Sequence, residues 1–275
     1  MKTNLTILLY SLILITAALS PVSACGDDMA AAIQNGDLQG VLRLLENGCN
    51  IESSNEAGDS PLLQACLADQ EEIALALIDQ GANVNVQPPR HGLTPLMVAS
   101  VKGMEQAAQS LVSSGAAVNA QGLRGQTPLY FSIFSKDPRI VQLLLEAGAD
   151  PNLNDELNQA PLFFAANAGR LEMVKMLLEY GADVDNRGGG LGQDALMAAS
   201  IQGNYEIAKL LLEKDAKFHI PDKQGMTALK FASQLGHTDI VNLFLARYAH
   251  PLLPPFVDSM KEKQSAVEER KAKQE

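Results

Sequence analysis

Tryptophan is absent from this 275-residue chain and aromatic residues make up only 5% of it. Leu and Ala recur throughout instead, which argues against a sandwich of sheets and for helix packed on helix. An excess of positive charge is also missing. Lys and Arg number 21 against 32 Asp and Glu, a formal charge of −11 with no basic cluster, so a phosphate lattice would repel the surface and nucleic acid is excluded as a partner. Histidine is scarce: His91, His219, His237 and His250 are far apart, and none stands near Cys or a carboxylate at metal-ligand spacing. No metal site and no cofactor follow. No Gly-x-Ser-x-Gly elbow occurs and no Ser, Cys or Lys has the setting of an activated nucleophile, so no catalytic residue is assigned and the chain does not read as an enzyme. Gly188-Gly189-Gly190-Leu191-Gly192 lacks the preceding strand and helix-opening spacing of a phosphate-cradling loop, and reads as a flexible finger.

Long apolar runs are lacking too, except at the start. Met1-Lys2-Thr3-Asn4 carries one positive charge, Leu5 to Leu19 is almost wholly apolar but short for a membrane span, and Val22-Ser23-Ala24 ends in small residues. Residues 1–24 are therefore expected to be a signal peptide, directing the chain to the periplasm. The next residue is Cys25, and Val22-Ser23-Ala24-Cys25 resembles the lipobox of bacterial lipoproteins, which implies lipidation of Cys25 and a membrane attachment through that lipid alone. Cleavage to an unanchored protein stays open beside it. Export permits disulfides, and acylating Cys25 would leave Cys49 and Cys66 as the candidate pair, with two buried free thiols as the alternative.

The rest of the chain has a period. Ser60-Pro61-Leu62, Thr94-Pro95-Leu96, Thr127-Pro128-Leu129, Ala160-Pro161-Leu162, Asp194-Ala195-Leu196 and Thr227-Ala228-Leu229 follow one another at offsets of 34, 33, 33, 34 and 33. A second series runs in step: Gly48-Cys49-Asn50-Ile51, Gly81-Ala82-Asn83-Val84, Gly115-Ala116-Ala117-Val118, Gly148-Ala149-Asp150-Pro151 and Gly181-Ala182-Asp183-Val184. Thr or Ser before Pro is an N-cap with Pro in the first helical turn, so each unit starts a helix at a fixed place. A second helix follows with one apolar face, as in Ile140, Val141, Leu144 and Leu145, and a glycine then ends it.

Both series resemble the ankyrin repeat, from about residue 26 to 250. The resemblance implies an all-α solenoid of about seven helix-turn-helix repeats joined by hairpin loops, with an N-terminal capping repeat over 25–54, six repeats over 55–250, and a C-terminal cap and charged tail over 251–275. It also implies a protein partner, held by a chain that is monomeric alone.

In such a stack the inner face of the first helices is not needed for packing. Leu67, Met97, Val101, Tyr130, Phe134, Phe163 and Ile201 are large and apolar at periodic positions of those helices, and are the candidate protein-binding residues. Burial between neighbouring repeats is the competing account of the same strip. Exported ankyrin arrays of this kind resemble immunity proteins that inhibit a toxic enzyme, and alternatively partners that protect or organise a periplasmic enzyme such as catalase.

Overall fold

The computed structural model describes residues 22–135 and 137–248. The expected signal peptide apart from the backbone of 22–24, Lys136, His250 and the expected C-terminal cap and charged tail lie outside the described residues.

Fourteen helices occur among the described residues, in seven pairs. They fall into two compact bodies, Met1–Glu156 and Leu157–Glu275. The first contains α1 (Val22–Gln34), α2 (Leu38–Glu46), α3 (Pro61–Leu67), α4 (Glu71–Asp79), α5 (Pro95–Lys102), α6 (Glu105–Ser113), α7 (Pro128–Ile133) and α8 (Pro138–Glu146). The second contains α9 (Pro161–Asn167), α10 (Leu171–Glu179), α11 (Ala195–Gln202), α12 (Tyr205–Glu213), α13 (Ala228–Leu235) and α14 (Thr238–Tyr248).

The recurring opening motif works as a capping device. Side chains of Ser60, Thr94, Thr127, Asp194 and Thr227 each accept a hydrogen bond from the backbone N–H three residues on, at 2.8–3.3 Å. That satisfies one of the four N–H groups a helix start leaves bare. Asp137 caps α8 in a related way, accepting from the Arg139 N–H two residues on at 2.9 Å, with Pro138 opening the helix. Five of the second helices, α2, α4, α6, α8 and α10, are followed by a glycine with positive φ, such as Gly81 at 85° and Gly148 at 87°, and Asp215 takes that conformation after α12 at 62°. Nothing stands within 4 Å of a Cβ built on either glycine, so glycine is needed there for its backbone and not for space.

Packing is in two layers within each body. First helices lie against first helices (α1, α3, α5, α7; and α9, α11, α13), and second against second (α2, α4, α6, α8; and α10, α12, α14). The expected faces are the buried ones: Ile140, Val141, Leu144, Ala74 and Leu77 are 0% exposed and Ile73 is 1% exposed. Neighbouring hairpins are also tied by a periodic polar clamp. Glu52 Oε1 accepts from Asn83 N–H at 2.7 Å, Asn85 Oδ1 from Ala117 N–H at 2.8 Å, Asn119 Oδ1 from Asp150 N–H at 2.9 Å and Asp185 Oδ1 from Lys217 N–H at 2.8 Å. Within each body these bonds fix one hairpin's height against the next.

At the N-terminal end a disulfide joins Cys25 to Cys49, with Cα atoms 5.9 Å apart. The expected Cys49–Cys66 pair does not form: Cys66 is a free, fully buried thiol in the last turn of α3, whereas Cys49 follows α2 and is bonded to the first turn of α1. The lipid expected on Cys25 would need the sulfur that this bond occupies.

Candidate functional site

The seven candidate residues do not share one environment. In the first body Leu67, Val101 and Phe134 are exposed by 38%, 37% and 45%. They occupy the same place in three successive first helices that pack side by side, near the C-terminal end of α3, α5 and α7. Tyr130 is half-buried and its ring lies 5.1 Å from that of Phe134 and 5.3 Å, edge-on, from that of Phe131. Such tilted and edge-on contacts hold aromatic rings in a fixed orientation. The Tyr130 phenol is pushed above its ordinary range, chiefly by burial and then by the Asp155 carboxylate, with Arg124 pulling the other way. It is therefore a neutral hydroxyl flanked by a cation and an anion from the hairpins, with an exposed phenyl ring beside it.

Met97 is not part of this surface. It is 0% exposed, because it stands at the third residue of α5, where the side chain folds back beneath the cap and its Sδ accepts from Thr94 N–H at 3.4 Å. Leu63 and Met197 at the corresponding places are 0% and 1% exposed. Tyr130 and Phe163 are half-buried there and Lys230 is exposed. In the second body Phe163 and Ile201 are half-buried. Phe163 meets Phe164 edge-on at 5.5 Å, and the Ile201 carbonyl accepts from the His237 ring at 3.1 Å. That imidazole lies within 2.7 Å of where a Cβ on Gly203 would stand, so His237 braces α11 against the start of α14.

Two features escaped sequence reasoning. Leu123, Leu157 and Leu191, 34 residues apart at hairpin tips, are exposed by 56%, 62% and 39%; their regular spacing is a signal in the sequence. His91 and Asp59, 32 residues apart, meet at 2.7 Å through Nε2 and Oδ1, and the His91 Nδ1 accepts from Leu93 N–H at 3.2 Å. That pair ties two hairpins and has no local sequence signature.

The glycine-rich hairpin is not a flexible finger. A Cβ on Gly188 would fall 1.8 Å from the Asn158 carbonyl oxygen, and Gly188 and Gln193 exchange backbone hydrogen bonds at 3.0 and 2.9 Å. Together with Pro221, Asp222 and Lys223 it borders an open cleft of about 390 Å³. The Arg187 guanidinium there is spent on the Pro221 carbonyl at 2.8 Å and faces Asp194 at 3.7 Å, so the cleft works as hairpin packing.

A family model described as ankyrin repeats in three copies matches residues 29–122, 111–188 and 162–253. The crystal structure of the ankyrin repeat domain of Bcl-3, a member of the IκB protein family, is similar with a TM-score of 0.66 and 27% identity, over 78% of this chain and 97% of that one. The Notch-regulated ankyrin repeat-containing protein of Homo sapiens is 40% identical over 60 residues, 21% of this chain and 53% of that protein. A probable E3 ubiquitin-protein ligase of Oryza sativa subsp. japonica, XBOS32, is 40% identical over 72 residues, 26% of this chain and 14% of the ligase. The chain spans about half or less of the length of these curated relatives.

Proposed function

Because the chain belongs to the ankyrin-repeat family, whose repeats are protein-binding modules, we propose that it is an exported binder that captures one specific partner protein of the bacterial envelope on the first-helix face of its first body. The apolar row of Leu67, Val101 and Phe134 carries this reading. Side chains of that size exposed 37–45% in three successive repeats are only partly used by the fold and leave an oily strip in a chain of formal charge −11. A partner that covers such a strip gains the burial that the free protein forgoes. The Tyr130–Phe134 pair is its anchor, since a rigid aromatic pair loses little side-chain freedom on binding. The fold is typically a non-enzymatic scaffold, and no step of chemistry is assigned to these residues.

The experiment is capture from envelope extract on three baits: the mature domain, Phe134→Ala and Lys175→Ala. Lys175 is exposed on α10, paired with Glu172 at 2.8 Å. The expected result is a protein retained by the parent and by Lys175→Ala and lost with Phe134→Ala. Retention by all three baits would overturn the placement of the site. A toxic enzyme captured in inactive form marks the protein as an immunity protein, and a periplasmic enzyme captured in active form marks it as a protector.

A further inference from the structure

The tetrapeptide Val22-Ser23-Ala24-Cys25 offers one sulfur to two incompatible chemistries. Acylation would transfer a diacylglyceryl group to Cys25 Sγ as a thioether, and a sulfur so occupied cannot also bond to Cys49. We propose that Cys25 escapes acylation, becomes the first residue of the mature chain and closes the N-terminal helix pair by its disulfide to Cys49, so that the protein acts unanchored in an oxidising compartment. The inference rests on the export reading given under Proposed function and settles what export does with the N-terminus.

Three observations carry it. The Cys25 and Cys49 Cα atoms stand 5.9 Å apart, within the span a disulfide bridges. The first turn of α1 is brought there by packing that does not involve the sulfurs. Gly26 is buried, and a Cβ on it would lie 3.3 Å from the Ser54 carbonyl oxygen, so the turn rests on the segment that follows Cys49. Cys66, the only other thiol, cannot compete. It is 0% exposed, and burial pushes its thiol up to about 12, which leaves almost no thiolate at neutral pH to enter exchange. Cys25 and Cys49 are both half-buried and reachable.

The closing step needs a two-electron acceptor, and a protein disulfide of the envelope's oxidising machinery is the class that fits. The Cys49 thiolate attacks the donor disulfide and displaces one donor thiolate, forming a mixed disulfide. The Cys25 thiolate then attacks Cys49 Sγ, the second donor thiolate leaves, and the donor ends as a dithiol carrying the two electrons and, after protonation, the two protons. Acylation of Cys25 would instead leave Cys49 as a half-exposed lone thiol in the same compartment.

The test expresses the full-length precursor in a Gram-negative bacterium, purifies it from whole envelope and periplasm, and reads the intact mass and N-terminal peptide. Thiols are counted in denaturant before and after reduction. The expected result is a chain that starts at Cys25, carries no lipid, weighs two hydrogens less than the reduced form, and shows one free thiol before reduction and three after. A diacylglyceryl mass on Cys25, three free thiols before reduction, or a peptide bridging Cys49 to Cys66 would each overturn the inference while leaving export intact. A chain that retains Met1 refutes the export reading, and the inference falls with it. As a second measurement, Cys25→Ser should leave the partition between membrane and periplasmic fractions unchanged; release from the membrane by that change would show an acyl anchor.

Discussion

Truncating Phe134 separates a binding anchor from a packing residue. A Phe side chain carries roughly 200 Å² of surface. With 45% of the residue exposed, roughly 110 Å² is covered in the free protein, and an Ala at the same place would keep about a third of that. The loss of roughly 70 Å² is worth about 2 kcal/mol at 25 cal/mol per Å², and no cavity adds to it because the ring is open to water. Phe244, 0% exposed in α14, is the matched control: its truncation removes the full transfer energy and leaves a void, about 4 kcal/mol. At about 2–4 °C per kcal/mol for a chain of this size, Phe134→Ala should lower the melting temperature by about 4–8 °C and Phe244→Ala by about twice as much. Against the captured partner, Phe134→Ala should weaken affinity by about 30-fold, the loss typical of an aromatic anchor near an interface centre. Calorimetric melting and titration of the same preparations provide both numbers. If Phe134→Ala destabilises as much as Phe244→Ala while its folded fraction binds with parental affinity, the ring is inter-repeat packing and the proposed surface is wrong.

Other outcomes follow from single contacts. Gly188→Ala should destabilise the second body by about 3 kcal/mol in denaturant titration, since its Cβ would stand 1.8 Å from a backbone oxygen, whereas Gly190→Ala, with nothing within 4 Å, should stay within about 0.5 kcal/mol. Equal effects would show that the hairpin yields. Cys49→Ser removes a bond spanning 24 residues, worth about 3 kcal/mol in the unfolded chain. Because repeats couple mainly to their neighbours, hydrogen exchange should quicken in α1 and α2 and hardly at all in α14. A uniform rise across all helices would contradict that local picture. Cys66 makes stability fall as pH rises from about 9 towards about 12: the unfolded thiol ionises near its ordinary 9.0, the folded one only at about 12, so between them the unfolded state binds fewer protons and is favoured. Urea midpoints at pH 8 and pH 10.5 should differ in the parent by more than in Cys66→Ala; the same pH dependence in both would refute the assignment.

Periodicity made the helix pairs legible without coordinates. A 33–34-residue spacing of cap, proline and terminal glycine places each helix start and stop by local chemistry, and the apolar faces of the second helices can only be buried against neighbours. The candidate surface was legible to the extent that it depends on position in the repeat: Leu67, Val101 and Phe134 stand at one place in successive helices and are exposed together. What position could not supply was depth. Met97 and Tyr130 hold equivalent places, yet one vanishes beneath its cap and the other emerges, because accessibility depends on side-chain length against the neighbouring hairpin. Pairings across repeats were equally out of reach. His91 finds Asp59, and Gly188 must be bare because the Asn158 carbonyl passes over it, through approaches between residues about thirty positions apart. The cysteines show the division most plainly: sequence supplied three thiols, and parity suggested a partner for Cys49. Only the docking of the first turn of α1 on the 49–54 segment decided that the partner is Cys25, since a disulfide forms where two Cβ atoms are already held together, and buried Cys66 is held elsewhere.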